Sequence, residues 1–174
     1  GDVYKRQGFT DADSSAYLAH LFKNKQFKAY RDFINPDRKD LFEEVTTSDE
    51  HGTQVLKMIT GYDKFSNTQY GFALNSDFYL ARTENGEKEH RVEEDDWIAA
   101  LEWMHSQGIR LVSTSLGYAT EMDNEEDNYT TEQMDGKTAM ITIAAQKAVE
   151  EKDMIIVVSA CLLYTSDAAD DSLR

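Results

Sequence analysis

The sequence predicts an α/β fold with a doubly wound, mostly parallel sheet in three layers. Two amphipathic helices alternate with short, apolar strands between residues 78 and 158. Strands that are apolar almost without interruption are typical of parallel sheets covered by helices on both faces, with right-handed crossovers between them. We find no internal repeat and no linker, so one domain is expected.

The helices and strands are predicted from periodicity and from the residues that begin and end them. A strand over 27–33 is followed by a turn at Asn35-Pro36-Asp37. A helix beginning at His51 is closed by Gly61. The later elements are a strand over 78–82, a helix over 93–107 that Gly108 ends, a strand over 109–115, a helix over 137–152 and a strand over 154–158.

Both later helices have one apolar face. In the first, Trp97, Ala100, Leu101 and Met104 share a face, and the acids of 93–96 stand where the helix dipole favours negative charge. In the second, the face consists of Ile141, Ala144, Ala145 and Ala148. These small side chains predict a helix that packs closely against a sheet.

The two ends of the chain are related to each other at the level of DNA. Back-translation of Asp2-Val3-Tyr4-Lys5-Arg6-Gln7 gives a sequence whose reverse complement, read one base in, encodes Cys161-Leu162-Leu163-Tyr164-Thr165-Ser166. This inverted element resembles a transposon adapter used for sequencing libraries. We therefore expect adapter-derived tails at 1–7 and 161–174 around a domain at 8–160, and we exclude the tails from fold reasoning.

Composition excludes several classes of function. The chain has 33 acidic and 18 basic residues and a net charge of −15, so the phosphate backbone of a nucleic acid would be repelled. The one cysteine, Cys161, belongs to the expected tail, which leaves 8–160 without disulfide or thiol chemistry. No apolar run approaches the ~20 residues that span a bilayer, so no membrane span is expected.

Three short motifs follow one another along the domain: His51-Gly52-Thr53, Ser115-Leu116-Gly117 and Val157-Val158-Ser159-Ala160. In this order they resemble blocks of the subtilisin-like serine peptidases, the subtilase family. That family has HGT at the start of a buried helix, an SLG strand that binds substrate, and a strand that ends in AGN at the oxyanion hole. The resemblance covers residues 8–160 and implies an incomplete subtilisin-like fold.

The resemblance implies a serine endopeptidase that cleaves protein or peptide substrates through an acyl-enzyme. His51 would be the catalytic base, and Ser115, Leu116, Gly117, Ser159 and Ala160 would bind substrate. An extended peptide would add to the SLG edge by main-chain hydrogen bonds, and Gly117 would leave room for its side chain. No cofactor is required for this chemistry. A secreted, periplasmic or cell-surface location is implied by the family alone.

Other parts of the family pattern are missing from this chain. The aspartate of a D-x-G segment would fall at Arg6, the oxyanion asparagine at Leu162, and the nucleophile block G-T-S-x-A is absent. Asp11 and Asp13 lie beyond the expected turn and are interpreted as loop or cap residues. Ser115 and Ser159 are expected in strands lining the cleft and are not interpreted as nucleophiles. The fragment itself is therefore expected to be inactive.

Two alternatives remain open at this stage. One is a catalytically dead subtilase-like binding module, and the other is an acidic, calcium-dependent surface-binding domain. The acidic run 123–128 offers hard oxygen ligands, but Asn128 and Met134 replace the glycine and glutamate of an EF-hand. Structural calcium is kept as an open expectation, and no metal-binding residue is assigned.

Overall fold

The computed structural model describes residues 8–43, 50–85, 90–118 and 122–159. The expected tails at 1–7 and 161–174, which include Arg6 and Leu162, lie outside the described residues, as does Ala160. The helices are α1 (Ala19–Lys23), α2 (His51–Thr60), α3 (Val92–Ser106) and α4 (Met140–Lys152). The strands are β1 (Phe27–Asp32), β2 (Tyr62–Asp63), β3 (Thr68–Gln69), β4 (Phe78–Arg82), β5 (Leu111–Thr114) and β6 (Ile155–Val158).

The long strands pair in parallel, which confirms the α/β class and is consistent with an incomplete subtilisin-like fold. β1 pairs with β4, and β5 pairs with β6. The two pairs are separate ladders, and no strand among the described residues joins them. The sheet that the sequence predicted as one layer is therefore present as two parallel pairs.

A short antiparallel hairpin, β2–β3, was not predicted. Its turn is held by Asp63, whose carboxylate accepts hydrogen bonds from the Phe65 amide at 2.8 Å and the Ser66 hydroxyl at 2.7 Å. Asn67 has a φ of 53°, in the left-handed region that asparagine tolerates better than most residues. Each strand has only two residues, too few for an alternating pattern.

Several predicted elements are shorter in the structure. Gly108 ends α3 with a φ of 83°, and the Ile109 amide donates back to the Met104 carbonyl at 3.0 Å. Ile109 thus belongs to the turn that closes the helix, and β5 begins at Leu111. The helix expected from 137 begins at Met140, because Asp135 Oδ1 accepts from the Lys137 and Thr138 amides at 2.8 Å and holds them in a turn.

Two separate apolar cores are formed by the residues that the structure describes. The first packs six buried side chains around β1, β4 and α2, with aromatic rings along its side. Its buried members are Phe9, Ala12, Leu18, Leu21, Leu56 and Leu80. The second packs α3 and α4 against β5 and β6. Its buried members are Trp97, Leu101, Val112, Ala148 and Met154, and the predicted faces of both helices take part. No described helix is long and apolar enough to cross a membrane.

Candidate active site

The site is built around the first turn of α2, which begins at His51. Gly52 packs directly against the N-terminal segment, so that a Cβ there would lie 2.6 Å from the Gly8 carbonyl oxygen and 2.8 Å from the Phe9 ring. Thr53 donates its amide to the Gly8 carbonyl at 3.3 Å and its hydroxyl to the Thr10 carbonyl at 2.7 Å. The glycine and threonine of the motif therefore fix the position of the helix that carries His51.

His51 is half-buried, and this burial lowers the pKa of its imidazole below the usual value of 6.5. A lowered pKa keeps the ring neutral at pH 7, which is the form that accepts a proton. His51 takes part in none of the ion pairs seen between described residues, such as Lys28–Asp77 and the two at Asp32. Within the described ranges, no carboxylate is thus paired with the imidazole.

A cavity of about 480 Å³ opens beside His51. It lies between α2 and α3 and is flanked by β4 and β5, and most of its walls are apolar. Ser115 and Leu116 line the same cavity as His51. The structure thus brings the predicted base and two predicted substrate-binding residues to one cleft, although 64 residues separate His51 from Ser115 in the sequence.

Ser115, Leu116 and Gly117 follow β5, which ends at Thr114, whereas the sequence placed Ser115 within the strand. Ser115 and Leu116 are half-buried and Gly117 is exposed. A Cβ added to Gly117 would meet no atom within 4 Å. The space beside Gly117 is therefore open, as a docking edge for a peptide requires.

Ser159 lies directly beyond the end of β6, whereas the sequence analysis placed it within the strand. Its amide donates to the Thr114 carbonyl at 3.0 Å, which sets it beside the residue that precedes Ser115. The Trp97 indole donates to the Thr114 hydroxyl at 3.2 Å and anchors this end of β5 to α3. The position of the next predicted residue, Ala160, lies outside the described residues.

Asp11 and Asp13 belong to the loop before α1, as the sequence suggested. Asp11 has a φ of 56°, and its carbonyl accepts hydrogen bonds from the Ser15 amide at 3.0 Å and the Ser14 hydroxyl at 3.3 Å. Asp13 is exposed. The Asp11 backbone thus stabilises a turn, and neither residue lines the cavity beside His51.

Sequence reasoning missed a buried polar cluster that connects the start of α3 to residues 127–129 and to the start of α4. Glu94 is 2% exposed and accepts hydrogen bonds from the Tyr129 hydroxyl at 2.7 Å and the Ile141 amide at 2.9 Å. Arg91 stacks on the Tyr129 ring at 4.2 Å and donates to the Asp127 carbonyl at 2.7 Å. Glu94 thus caps α4 from another helix, a role that its place in an acidic helix start did not reveal.

The acidic run 123–128 forms a short 3₁₀ turn at Glu125–Asp127. Asn128 accepts a hydrogen bond from the Met122 amide at 2.9 Å, and Asn124 donates to Asp127 at 3.4 Å. Across the part of the chain that the structure describes, no three His, Cys, Asp or Glu side chains converge as a metal site. Structural calcium stays a prediction.

Comparison with known proteins gives one finding. The family model of the subtilases matches residues 10–161 of the 174-residue chain. A search of curated proteins found no match. The matched range contains His51, the Ser115–Gly117 run, Ser159 and Ala160.

Proposed function

The chain belongs to the subtilase family, and on this premise we propose that it is part of a serine endopeptidase that hydrolyses proteins or peptides through an acyl-enzyme. One observation carries the proposal. His51, kept neutral by burial, lines the same cavity as Ser115 and Leu116, beside the open space at Gly117.

In the complete enzyme, His51 would take the proton of the attacking serine hydroxyl and later deliver it to the leaving amine. A neutral imidazole at pH 7 suits the first step. The substrate would lie extended along Ser115, Leu116 and Gly117 and form main-chain hydrogen bonds with them. Ser159 and Ala160 would flank the bound peptide from the end of β6. No cofactor is needed for these steps, and a secreted, periplasmic or cell-surface location is proposed from the family alone.

The 174-residue chain itself should be inactive, because its sequence contains neither G-T-S-x-A nor an aspartate at position 6. The members of a catalytic triad act as a unit, so His51 alone supplies little catalysis. A fluorophosphonate probe should leave this chain unlabelled. If the probe instead labels one serine, and this labelling is lost on denaturation, the chain does contain a nucleophile and the prediction is wrong.

The full parent gene tests the assignment itself. Sequencing across both junctions should give aspartate at the position of Arg6, Gly-Asn at the positions of Cys161 and Leu162, and G-T-S-x-A further on. If genomic DNA instead contains the present tails, the catalytically dead binding module becomes the better interpretation.

In the complete enzyme, two substitutions should fail in different ways. His51→Ala should lower kcat by several orders of magnitude, up to ~10⁶-fold, with little change in KM. Gly117→Val fills the open space and should reduce kcat/KM for extended peptides more than for a small activated ester. Near-normal peptide turnover by His51→Ala would contradict the assignment. Equal losses of kcat/KM on both substrates for Gly117→Val would contradict the proposal that a peptide docks at Ser115, Leu116 and Gly117.

A further inference from the structure

A group of large apolar side chains lies exposed around the end of α2 and the β2–β3 hairpin. Phe72 is 97% exposed, Phe65 is 83% exposed and Met58 is 72% exposed. Tyr17 and Tyr70 belong to the same group, and their rings meet edge to face at 5.7 Å. We call these five residues the hairpin surface. Single exposed apolar residues are common on proteins, whereas a group of this kind marks an interaction site.

Backbone hydrogen bonds hold the hairpin against the segments on both sides of it. The Tyr62 amide donates to the Tyr17 carbonyl at 3.0 Å, which joins β2 to the segment before α1. The Tyr70 amide donates to the Gly61 carbonyl at 2.9 Å, which joins the end of β3 to the end of α2. The hairpin is therefore fixed in position, and the two tyrosine rings meet at its base.

Phe72 lies beside the last turn of α2, which also carries Met58. The residue before it, Gly71, packs so closely that an added Cβ would lie 2.1 Å from the Ile59 carbonyl carbon. The residue after it, Ala73, donates its amide to the Ile59 carbonyl oxygen at 3.0 Å. Ile59 directly follows Met58 in the sequence. These contacts fix the backbone on both sides of Phe72 and leave both exposed side chains in water.

The hairpin projects into solvent, because residues 64–70 are all exposed. Phe65 lies in its turn, which is held where the Phe65 amide donates to the Asp63 carboxylate at 2.8 Å. Of the five described residues of the hairpin surface, none lines the cavity beside His51. A bound peptide helix or strand needs a groove or a sheet edge, whereas a projecting apolar turn can enter the soft headgroup layer of a bilayer.

Positive charge is concentrated in the stretches of chain that form the hairpin surface. Residues 14–31 and 51–76 contain six of the 18 basic residues but only one of the 33 acidic residues, Asp63. In the turn of the hairpin, Lys64 Nζ lies 5.0 Å from the centre of the Phe65 ring. A lysine beside an inserted ring keeps its ammonium group at the level of the lipid headgroups.

Two more exposed lysines, Lys23 and Lys25, belong to a segment that contacts the chain just after Phe72. The Gln26 side chain donates to the Leu74 carbonyl at 2.7 Å and makes this connection. The net charge of the whole chain is −15, but at physiological ionic strength charges farther away than ~8 Å are largely screened. The lysines nearby therefore decide that this face attracts negative charge.

We propose that the hairpin surface binds lipid bilayers that contain anionic lipids. Phe65 and Phe72 insert between the headgroups, and Lys23, Lys25 and Lys64 lie close to the lipid phosphates. Lysines near an anionic surface each strengthen binding about fivefold, and apolar rings that leave water strengthen it further. The proposal rests on the chemistry of this surface and does not depend on the proposed peptidase activity.

The test measures binding of the full chain to vesicles by co-sedimentation. Vesicles of phosphatidylcholine alone are compared with vesicles of an equal mixture of phosphatidylcholine and phosphatidylglycerol. The double variant Phe65→Ser, Phe72→Ser removes side chains that are already mostly in water, so it should fold normally. Its matched control is Ile155→Ser, Val157→Ser, which removes exposed apolar side chains from β6.

We expect the chain to bind the mixed vesicles at low salt and to bind phosphatidylcholine alone about tenfold more weakly or less. The phenylalanine variant should lose about tenfold or more in affinity for the mixed vesicles, while the β6 variant binds as the unsubstituted chain does. Lys64→Gln should weaken binding about fivefold. Lys147→Gln, at an exposed position on α4, is its control and should change nothing.

Three results would overturn the proposal. One is the absence of binding to the mixed vesicles at low salt. Another is an equal loss of binding in the β6 variant, which would assign binding to the exposed strand. The third is a dimer that forms without vesicles and is lost in the phenylalanine variant while the mixed vesicles are not bound, because the hairpin surface would then join two copies of the chain. If circular dichroism shows that the phenylalanine variant is unfolded, Lys64→Gln and its control decide.

Discussion

The two halves of the molecule use the same motif, a parallel strand pair with helices, but differ in how far their strands are covered. In the first half, every residue of β4 is buried or half-buried, and β1 ends at the buried Asp32. In the second half, Ile155 of β6 is 63% exposed, Val157 is 52% exposed and Val158 is 55% exposed. Because stability varies with buried apolar contact, the second half should open at a lower free energy than the first.

The halves also differ in the partners of their buried carboxylates. Asp32 lies between two cations, at 3.3 Å from Arg82 and 3.4 Å from Arg38, and accepts the Ile34 and Asn35 amides at 3.0 and 2.8 Å. Glu94 is held by a hydroxyl and an amide, both neutral. The Asp32 carboxylate forms ion pairs at the end of β1, whereas the Glu94 carboxylate connects α3 to α4 through neutral donors. The predictions below test this difference.

The largest effect is expected for Asp32→Ala, which removes a buried carboxylate that lies 3.3 Å from Arg82 and 3.4 Å from Arg38. Removing one partner of a buried ion pair costs ~3–5 kcal/mol. Asp77→Ala is the matched control, because Asp77 pairs with Lys28 at 3.1 Å on the surface, where such pairs contribute under ~1 kcal/mol. Urea unfolding of both variants measures the two costs, and similar values would contradict the distinction.

A smaller but clear difference is expected between two strand aliphatics, Leu80 of β4 and Ile155 of β6. Leu80 is 6% exposed, so Leu80→Ala should cost ~2–5 kcal/mol through lost burial and a cavity. Ile155→Ala removes a side chain that is already mostly in water and should cost less than ~1 kcal/mol. Thermal unfolding of the two variants measures both losses of stability. Equal costs would mean that β6 is covered as well as β4.

Glu94→Ala should weaken the second half locally. The substitution removes acceptors from Tyr129 and Ile141, and leaving buried donors unsatisfied costs ~1–3 kcal/mol. Glu102→Ala, at an exposed position on the same helix, is the control. Hydrogen exchange should rise at the start of α4 and leave β1 and β4 unchanged. An increase that extends evenly through both halves would show that they open together.

The smallest effect is expected for the dependence of stability on pH. Burial lowers the pKa of His51, and of His20 as well, although a backbone hydrogen bond at Tyr17 opposes the shift at His20. As pH falls through 6.5, the unfolded chain takes up protons before the folded chain does, so stability decreases toward lower pH in that window. Melting temperatures between pH 7.5 and 5.5 should therefore fall, and His51→Gln should reduce the slope. An unchanged slope would assign the pH dependence to other groups.

Regular elements with a strong pattern could be predicted from the sequence. α3 was placed to within one residue at each end, and its face Trp97, Ala100 and Leu101 is buried as expected, because helical periodicity depends only on neighbours along the chain. The motifs also predicted the family that the family model matches, and His51 and Ser115 line one cavity, whereas the roles of these residues stay predictions. Features that depend on residues close together in the sequence could thus be predicted.

Features that depend on contacts between residues far apart in the sequence could not be predicted from it. Glu94 meets Tyr129 and Ile141, which are 35 and 47 residues away, so the acidic start of α3 gave no sign that this carboxylate is buried. The separation of the strand pairs escaped prediction for a related reason. Apolar runs indicate that strands exist, but not which strand lies beside which.

The contact at Gly52 has a genetic consequence. Every amino acid that a single-base change can put in place of glycine carries a Cβ, and at this position that atom would fall 2.6 Å from the Gly8 oxygen. The crowding comes from backbone and from a packed ring, neither of which can swing aside as a flexible side chain would. No missense mutation one base away is therefore neutral at Gly52. A gene that keeps this fold should tolerate change at the exposed Gln54 far more readily than two positions earlier.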